Sequence, residues 1–414
     1  MKIKRFRWLL LPLSVLMLSA CSLTLPSDNS AEATVDMTTE SAEATATTDT
    51  TPSGVIPVPE LLKLWEKKGL KYTIIYNEQD ENAKELSYLL FRKFRSLTTA
   101  SLGFATDKQD FDYYEILLGN TNRPESDCSK ELKENEYGVI VKGHKVVLQA
   151  SDPALLLLAV DRFLETVTVE NTMVTLPSTT RSIGMATAKA TLKVASYNIK
   201  NGAVANHDFK LLAQDILDIG ADVVGLQEVD QLTKRNGYQD TLKLLSEYTG
   251  MRYYQFLPTI SPYQNGEYGI AVLSKYPIVS HSYEYLPKYA SKDEQRGALC
   301  VEIDVNGTTV NFVSTHCHWD GFEEQLRTIA KMVEEKPNYI VVGDLNNSDF
   351  ALHRKVFPTA SIAVDSDNYL VTTPGGSSID NMIAAQNIRF LNCKAFVPGH
   401  SDHYMIYSTI IVLA

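Results

Sequence analysis

Cysteine is scarce in this 414-residue chain, with five in all. Cys128, Cys300, Cys317 and Cys393 form neither a CxxC nor any other metal-type spacing, which speaks against a zinc site. Long apolar runs are missing too. The run Leu9 to Leu18 is too short to span a bilayer. Positive charge is in deficit: the formal net charge is −11, and residues 186–414 hold about 19 Lys+Arg against 25 Asp+Glu. No basic footprint for a phosphate backbone results, and a dedicated nucleic-acid binder is disfavoured. From Ser22 to about Pro57 there is hardly an aromatic or large aliphatic residue, so that stretch cannot bury enough surface to order itself.

What is present begins with export. Lys2, Lys4, Arg5 and Arg7 precede the apolar run, as in a secretory signal, and Leu18-Ser19-Ala20-Cys21 places small residues before a cysteine. That order of parts resembles a bacterial lipobox, which implies cleavage before Cys21 and lipidation there. Residues 1–20 then read as a lipoprotein signal peptide and 21–57 as a flexible Ser/Thr/Ala-rich stalk. The expected location is extracytoplasmic, tethered to the cell membrane by the lipid on Cys21.

Residues 58–185 have the pattern of a small α/β domain. The reading places a helix near Pro59–Lys68, a strand at Tyr72–Tyr76, a helix at Ala83–Phe94, a strand at Tyr114–Leu118, two strands split by Gly143-His144, and a helix from Pro153 to Thr166. Met173 to Ala190 reads as the close of this domain and a linker. No catalytic constellation falls in it. The segment Tyr114–Thr121 resembles the small domain that precedes catalytic barrels in some glycoside hydrolases, implying a glycan-related accessory role, with a bare spacer as the plainer alternative.

After residue 190 the pattern changes to short apolar strands ending in polar residues. Strands are expected at 192–197, 223–227, 269–273, 298–305, 309–315, 339–342, 379–384 and 404–411, with an amphipathic helix over 209–219. Many strands with few long helices predict a two-sheet α+β sandwich covered by helices. A two-residue turn at Asn306-Gly307 would set Cys300 opposite Val313 and Gly297 opposite His316, so Cys300 and Cys317 are not expected to be bridged.

Seven strand-end segments occur in a fixed order: Ala195-Ser196-Tyr197-Asn198-Ile199, Val224-Gly225-Leu226-Gln227-Glu228-Val229-Asp230, Tyr268-Gly269 through Pro277, Ser314-Thr315-His316, Val342-Gly343-Asp344-Leu345-Asn346, Ser378-Ile379-Asp380 and Ser401-Asp402-His403. In this order, over about residues 191–414, they resemble the endonuclease/exonuclease/phosphatase superfamily, which includes deoxyribonuclease I. The resemblance implies a four-layer α/β/β/α sandwich and a phosphoesterase dependent on Mg²⁺ or Mn²⁺. A strand-end acid such as Glu228 is costly without a partner. The resemblance makes Glu228 the principal metal ligand, helped by Asn198 and Asp402.

The resemblance also gives Asp344 and Asn346 the task of positioning and deprotonating the attacking water. Two apart on an extended segment, they should point the same way. His403 is expected against the scissile phosphate with Asp380 fixing its tautomer, and His316 is expected to hydrogen-bond the same phosphate. Lys200 stands where abasic-site endonucleases carry an acid, leaving a cation for substrate phosphate. Arg296, one step from Gly297, is expected to reach that phosphate, and His318 to contact substrate or lie on the surface. The expected substrate is a lipid head group, glycan phosphate or small organophosphate. Nuclease activity is the first alternative, with nucleic acid not favoured as a partner, and a catalytically silent glycan- or surface-binding module is the second. A monomer is expected.

Overall fold

A computed structural model describes residues 56–414 apart from 129, 171 and 398. The leader, Cys21 and the stalk through residue 55 lie outside the described residues. Residues Pro57–Ala414 form one compact unit. Among the described residues no helix is long and apolar enough to cross a membrane.

The C-terminal part is built on two sheets. In the seven-stranded sheet the spatial order is Tyr253–Tyr263, Gly266–Ser274, Val223–Gln231, Ala188–Asn198, Met405–Leu413 and Ile388–Phe390, with Lys394–Phe396 also paired to Met405–Leu413. The six-stranded sheet runs Ile278–Tyr285, Gly297–Val305, Thr308–His316, Tyr339–Asp344, Asp380–Ala384 and Ser361–Ile362. Successive side chains on a strand face opposite ways, so each sheet has two faces to cover. Leu192, Val194, Val272 and Ile410 of one sheet meet Leu299, Val301, Phe312 and Val342 of the other in a shared core.

The outer faces are covered by helices. Ala195, Tyr197, Val224 and Leu226 lie beneath helices Phe209–Ile219 and Thr241–Thr249, and Cys300, Val313 and Val341 lie beneath Phe322–Val333. These are the four layers α/β/β/α of the expected α+β class. Local chemistry fixes the helices in place: Phe209–Ile219 is capped by the Asp208 side chain at its start and by Gly220, at φ 67, at its end.

Each sheet holds one parallel pair spanned by a covering helix: Ala188–Asn198 with Val223–Gln231, and Thr308–His316 with Tyr339–Asp344. Asn198, His316 and Asp344 end three of these strands, and Glu228 lies three residues before the end of the fourth. There the sheets approach closely, since a Cβ on Gly225 would lie 2.5 Å from Val342 Cγ2. The hairpin at Asn306-Gly307 has the expected register, with Cys300 opposite Val313 and Gly297 opposite His316. Cys128, Cys300, Cys317 and Cys393 are all free and buried.

The N-terminal part differs from its sequence reading in two places. Leu61–Glu66 is a strand, not a helix, because Leu62 and Leu64 alternate into the core while their neighbours face outward, and it pairs with Met173–Pro177. The stretch 173–190 is not a linker. Met173–Pro177 and Arg181–Met185 are strands, and the Ala188–Asn198 strand follows almost at once. Leu61–Glu66, Met173–Pro177 and Thr168–Glu170 form a three-stranded sheet, while Arg181–Met185 is an edge of a six-stranded sheet against which helices Glu81–Thr98 and Leu156–Thr166 pack through Leu86, Leu90, Phe94, Leu157 and Phe163. That core continues into the sandwich through Leu391 and Ile411. Arg92 bonds to Asn368 and Asn392, and Glu85 to Asn392 and Lys394, across the same boundary.

Candidate functional site

At the carboxyl ends of the parallel strands, polar side chains converge on one carboxylate. Asp344 is buried, and its Oδ2 accepts a hydrogen bond from Asn198 Nδ2 at 3.0 Å. His316 Nε2 lies 3.4 Å and His403 Nε2 3.6 Å from the same oxygen. Its Oδ1 accepts the Asn346 backbone N–H at 2.9 Å. Burial, reinforced by neighbouring Asp380, pushes the Asp344 carboxyl up to about 7. Asp344, Asp380 and His403 each offer an atom within 4.8 Å of the others.

The two histidines are held in different states. Asp380 Oδ2 lies 3.0 Å from His403 Nδ1. Burial alone would lower the pKa of this ring, but Asp380, Asp344 and Asp402 together raise it to about 9, so it carries its proton at neutral pH. His316 is buried. Burial first, then the Arg296 guanidinium, hold it well below the usual histidine range, so it stays neutral. Arg296 Nη1 is 2.9 Å from His316 Nδ1. A guanidinium can only donate, so Nδ1 accepts and the His316 proton sits on Nε2, facing Asp344.

Backbone strain aims Glu228. The pairing between Val223–Gln231 and Gly266–Ser274 shifts register between Leu226 and Val229, and Glu228 sits there at φ 55. A bulge with a non-glycine residue in the left-handed region costs on the order of 1–3 kcal/mol and recurs beside active sites, where it re-aims a side chain. Asn198 Nδ2 also donates to Glu228 Oε1 at 3.1 Å, so one amide ties both carboxylates together. Asp402 presents two unlike oxygens: Oδ2 lies 2.9 Å from Lys200 Nζ, while Oδ1 is buried with no hydrogen-bond partner among the described residues.

Asn198, Glu228, His316, Asp344, Asn346, Asp380 and His403 come together. Asn346 arrives by another route than strand alternation: the strand ends at Asp344, and Asn346, at φ 50, turns so that Nδ2 donates to the Cys317 carbonyl at 3.0 Å and lies 3.2 Å from His316 Nε2. Arg296 contacts His316 directly. Lys200 and Asp402 are paired with each other. His318 stands apart, its Nδ1 accepting the Asp320 N–H at 3.1 Å and its ring stacked on Trp319.

Two groups escaped the sequence reading. Asp215, on the apolar face of the Phe209–Ile219 helix, accepts Tyr197 Oη–H at 2.7 Å and lies 2.8 Å from His400 Nδ1, while the His400 backbone N–H donates to it at 2.9 Å. Ser401 Oγ donates to the Asn198 carbonyl at 2.7 Å. The loop bearing Asp402 and His403 is thus hung from the strand that ends in Asn198. The signal was Asp215 itself, three residues past Leu212 among inward positions, since a buried acid demands a partner. Gln227 is the second, donating to Ser314 Oγ at 3.2 Å between the sheets.

The donor set suits a divalent cation. Among the described residues Glu228 has one hydrogen-bond donor on its carboxylate and Asp402 Oδ1 has none, and both are hard oxygens of the kind Mg²⁺ and Mn²⁺ prefer.

The model of the endonuclease/exonuclease/phosphatase family matches residues 195–403, from the strand before Asn198 to His403. A solved family protein from Beutenbergia cavernae is 18% identical, with a TM-score of 0.46 over 54% of this chain and 72% of its own. One from Bacteroides thetaiotaomicron is 16% identical (TM-score 0.44; 54% of this chain, 98% of its own) and one from Bacteroides vulgatus 18% identical (TM-score 0.42; 54% and 99%). The chain belongs to the endonuclease/exonuclease/phosphatase family and is a hydrolase of that family.

Proposed function

We propose that the protein is a Mg²⁺- or Mn²⁺-dependent phosphoesterase that cleaves a P–O bond by in-line attack of water. The observation that carries this reading is the convergence of Asn198, His316 and His403 on Asp344 Oδ2. Asp344 takes the proton of the attacking water. A carboxyl poised near 7 is both ionised and basic enough for that task at neutral pH. Its orientation is fixed by the Asn346 amide on one oxygen and Asn198 on the other.

His403, kept protonated by Asp380, places an N–H and a positive charge where the phosphate oxygens gather charge. His316, oriented by Arg296, offers a neutral Nε2–H to the same group. These donors are preset, so little reorganisation is needed as charge develops. Glu228 and Asp402 Oδ1 would hold the divalent ion, with Asn198 locking Glu228 in place. Such an ion supplies Lewis-acid neutralisation of the charge growing on the phosphoryl group.

Cys21 would anchor the enzyme outside the cell membrane through the stalk, as a monomer. The acidic balance and the tether favour a lipid head group, a glycan phosphate or a small organophosphate over a polynucleotide. Protein comprising residues 57–414 should hydrolyse bis-p-nitrophenyl phosphate with Mg²⁺ or Mn²⁺ and stop with chelator. His403→Ala or Glu228→Ala should lower kcat/KM by roughly 10³-fold or more. Full activity in either variant would sink the assignment. Plasmid nicking exceeding hydrolysis of phospholipid and sugar-phosphate esters would move the reading to a nuclease.

A further inference from the structure

The geometry points to Lys200 as a tethered cation that takes the place of a second divalent ion, so that the site is built for one. This rests on the phosphoesterase reading above. The chain makes an expensive turn to deliver the side chain. Lys200 and Asn201 follow each other at φ 46 and φ 48, and a left-handed conformation is unfavourable for a lysine. Asn198 Oδ1 holds the turn by accepting the Lys200 backbone N–H at 3.1 Å, and the Gly202 N–H closes it on the Ile199 carbonyl at 2.8 Å. The side chain of Asn198 thus fixes three things at once: Glu228, Asp344 and the base of Lys200.

The ammonium then pairs with Asp402, while Asn198 ties the turn beneath it to Glu228 and Asp344. Asp402 divides its oxygens, Oδ2 going to Lys200 at 2.9 Å and Oδ1 having no hydrogen-bond partner among the described residues. A second cation bound there would face a fixed positive charge.

The test counts ions on the full chain in detergent, by equilibrium dialysis and electron paramagnetic resonance with Mn²⁺ alone. Wild type should bind one Mn²⁺. Lys200→Met, which keeps the stem and removes the charge, should bind Mn²⁺ about tenfold tighter or take up a second ion, because the like charge paired with Asp402 has gone. Lys200→Arg, which restores the charge, should return to one ion at wild-type affinity. Two ions on wild type overturn the inference and leave the phosphoesterase reading standing, as does a Lys200→Met protein indistinguishable from wild type in both number and affinity. A Lys200→Arg protein that behaves like Lys200→Met overturns it too, since charge would not be the cause. No ion on wild type overturns both readings together.

Discussion

Two clusters of buried charge, one in each part of the molecule, use similar residues to opposite ends. In the N-terminal part Glu115 is fully buried between Arg123, whose Nη2 lies 2.9 Å away, and Lys145. Arg123 also donates to the carbonyls of Asp107 and Gln109, while Lys145 donates to that of Asp112 and lies 3.9 Å from the centre of the Phe111 ring. Burial would raise the Glu115 carboxyl, but Arg123 and Lys145 win and hold it below the ordinary range. Such a network is complete. Around Asp344 the balance is reversed: acids crowd one another, the Asp344 carboxyl is driven up, and Asp402 Oδ1 has no partner among the described residues. A satisfied buried network stabilises a fold, whereas an unsatisfied one stores binding capacity for a ligand.

The sharpest way to break this contrast is Asp344→Asn. It should lower kcat by about 10³-fold or more through loss of the base. It should leave the Tm of chelated protein unchanged or higher, because the amide removes the repulsion with Asp380. A fall of several degrees with kcat largely kept would show that Asp344 is structural and the contrast false. The complementary change is Glu115→Ala. It strands two cations in the interior and should lower unfolding free energy by about 3–5 kcal/mol, read as a lower urea midpoint, with kcat of the folded protein unaltered.

How much of this was legible in the sequence depends on whether the decisive interaction was local. Asn198, His316 and Asp344 could be found because each terminates an apolar strand, and Glu228 because it interrupts one, where a polar side chain stands out. The Asn306-Gly307 hairpin and the register it gives Arg296 could be read because turn chemistry fixes pairing. The Lys200 to Asp402 pair could not, since nothing local brings together residues so far apart in the chain. Nor could the bulge at Glu228, because an αL residue inside a strand leaves no mark in the alternation. Leu61–Glu66 failed differently. Its Leu62 and Leu64 have the two-residue period of a strand, but its partner strand begins at Met173, and a short run rich in Leu and Lys reads equally well as helix without that partner.

The smallest expected effect sharpens the contrast further, because the two clusters should fail at opposite ends of the pH scale. The folded pKa of Glu115 is depressed. Its contribution is therefore present above the unfolded carboxyl value and lost as pH falls through the folded one. That of His403 is raised to about 9, so its contribution is complete below the unfolded value near 6.5 and is lost as pH rises through about 9. Chelated wild type should lose on the order of 2 kcal/mol of stability between pH 6.5 and 9, discounted from the full shift because His403 also interacts with Asp344. Asp380→Asn removes the charge nearest the His403 proton and should flatten that alkaline limb while leaving the acid limb in place. Glu115→Gln should do the reverse. Melting curves of the three proteins from pH 4 to 9.5 decide it. If Asp380→Asn keeps the alkaline limb, the His403 proton is not held by Asp380, and the orientation assigned to that ring in catalysis loses its support.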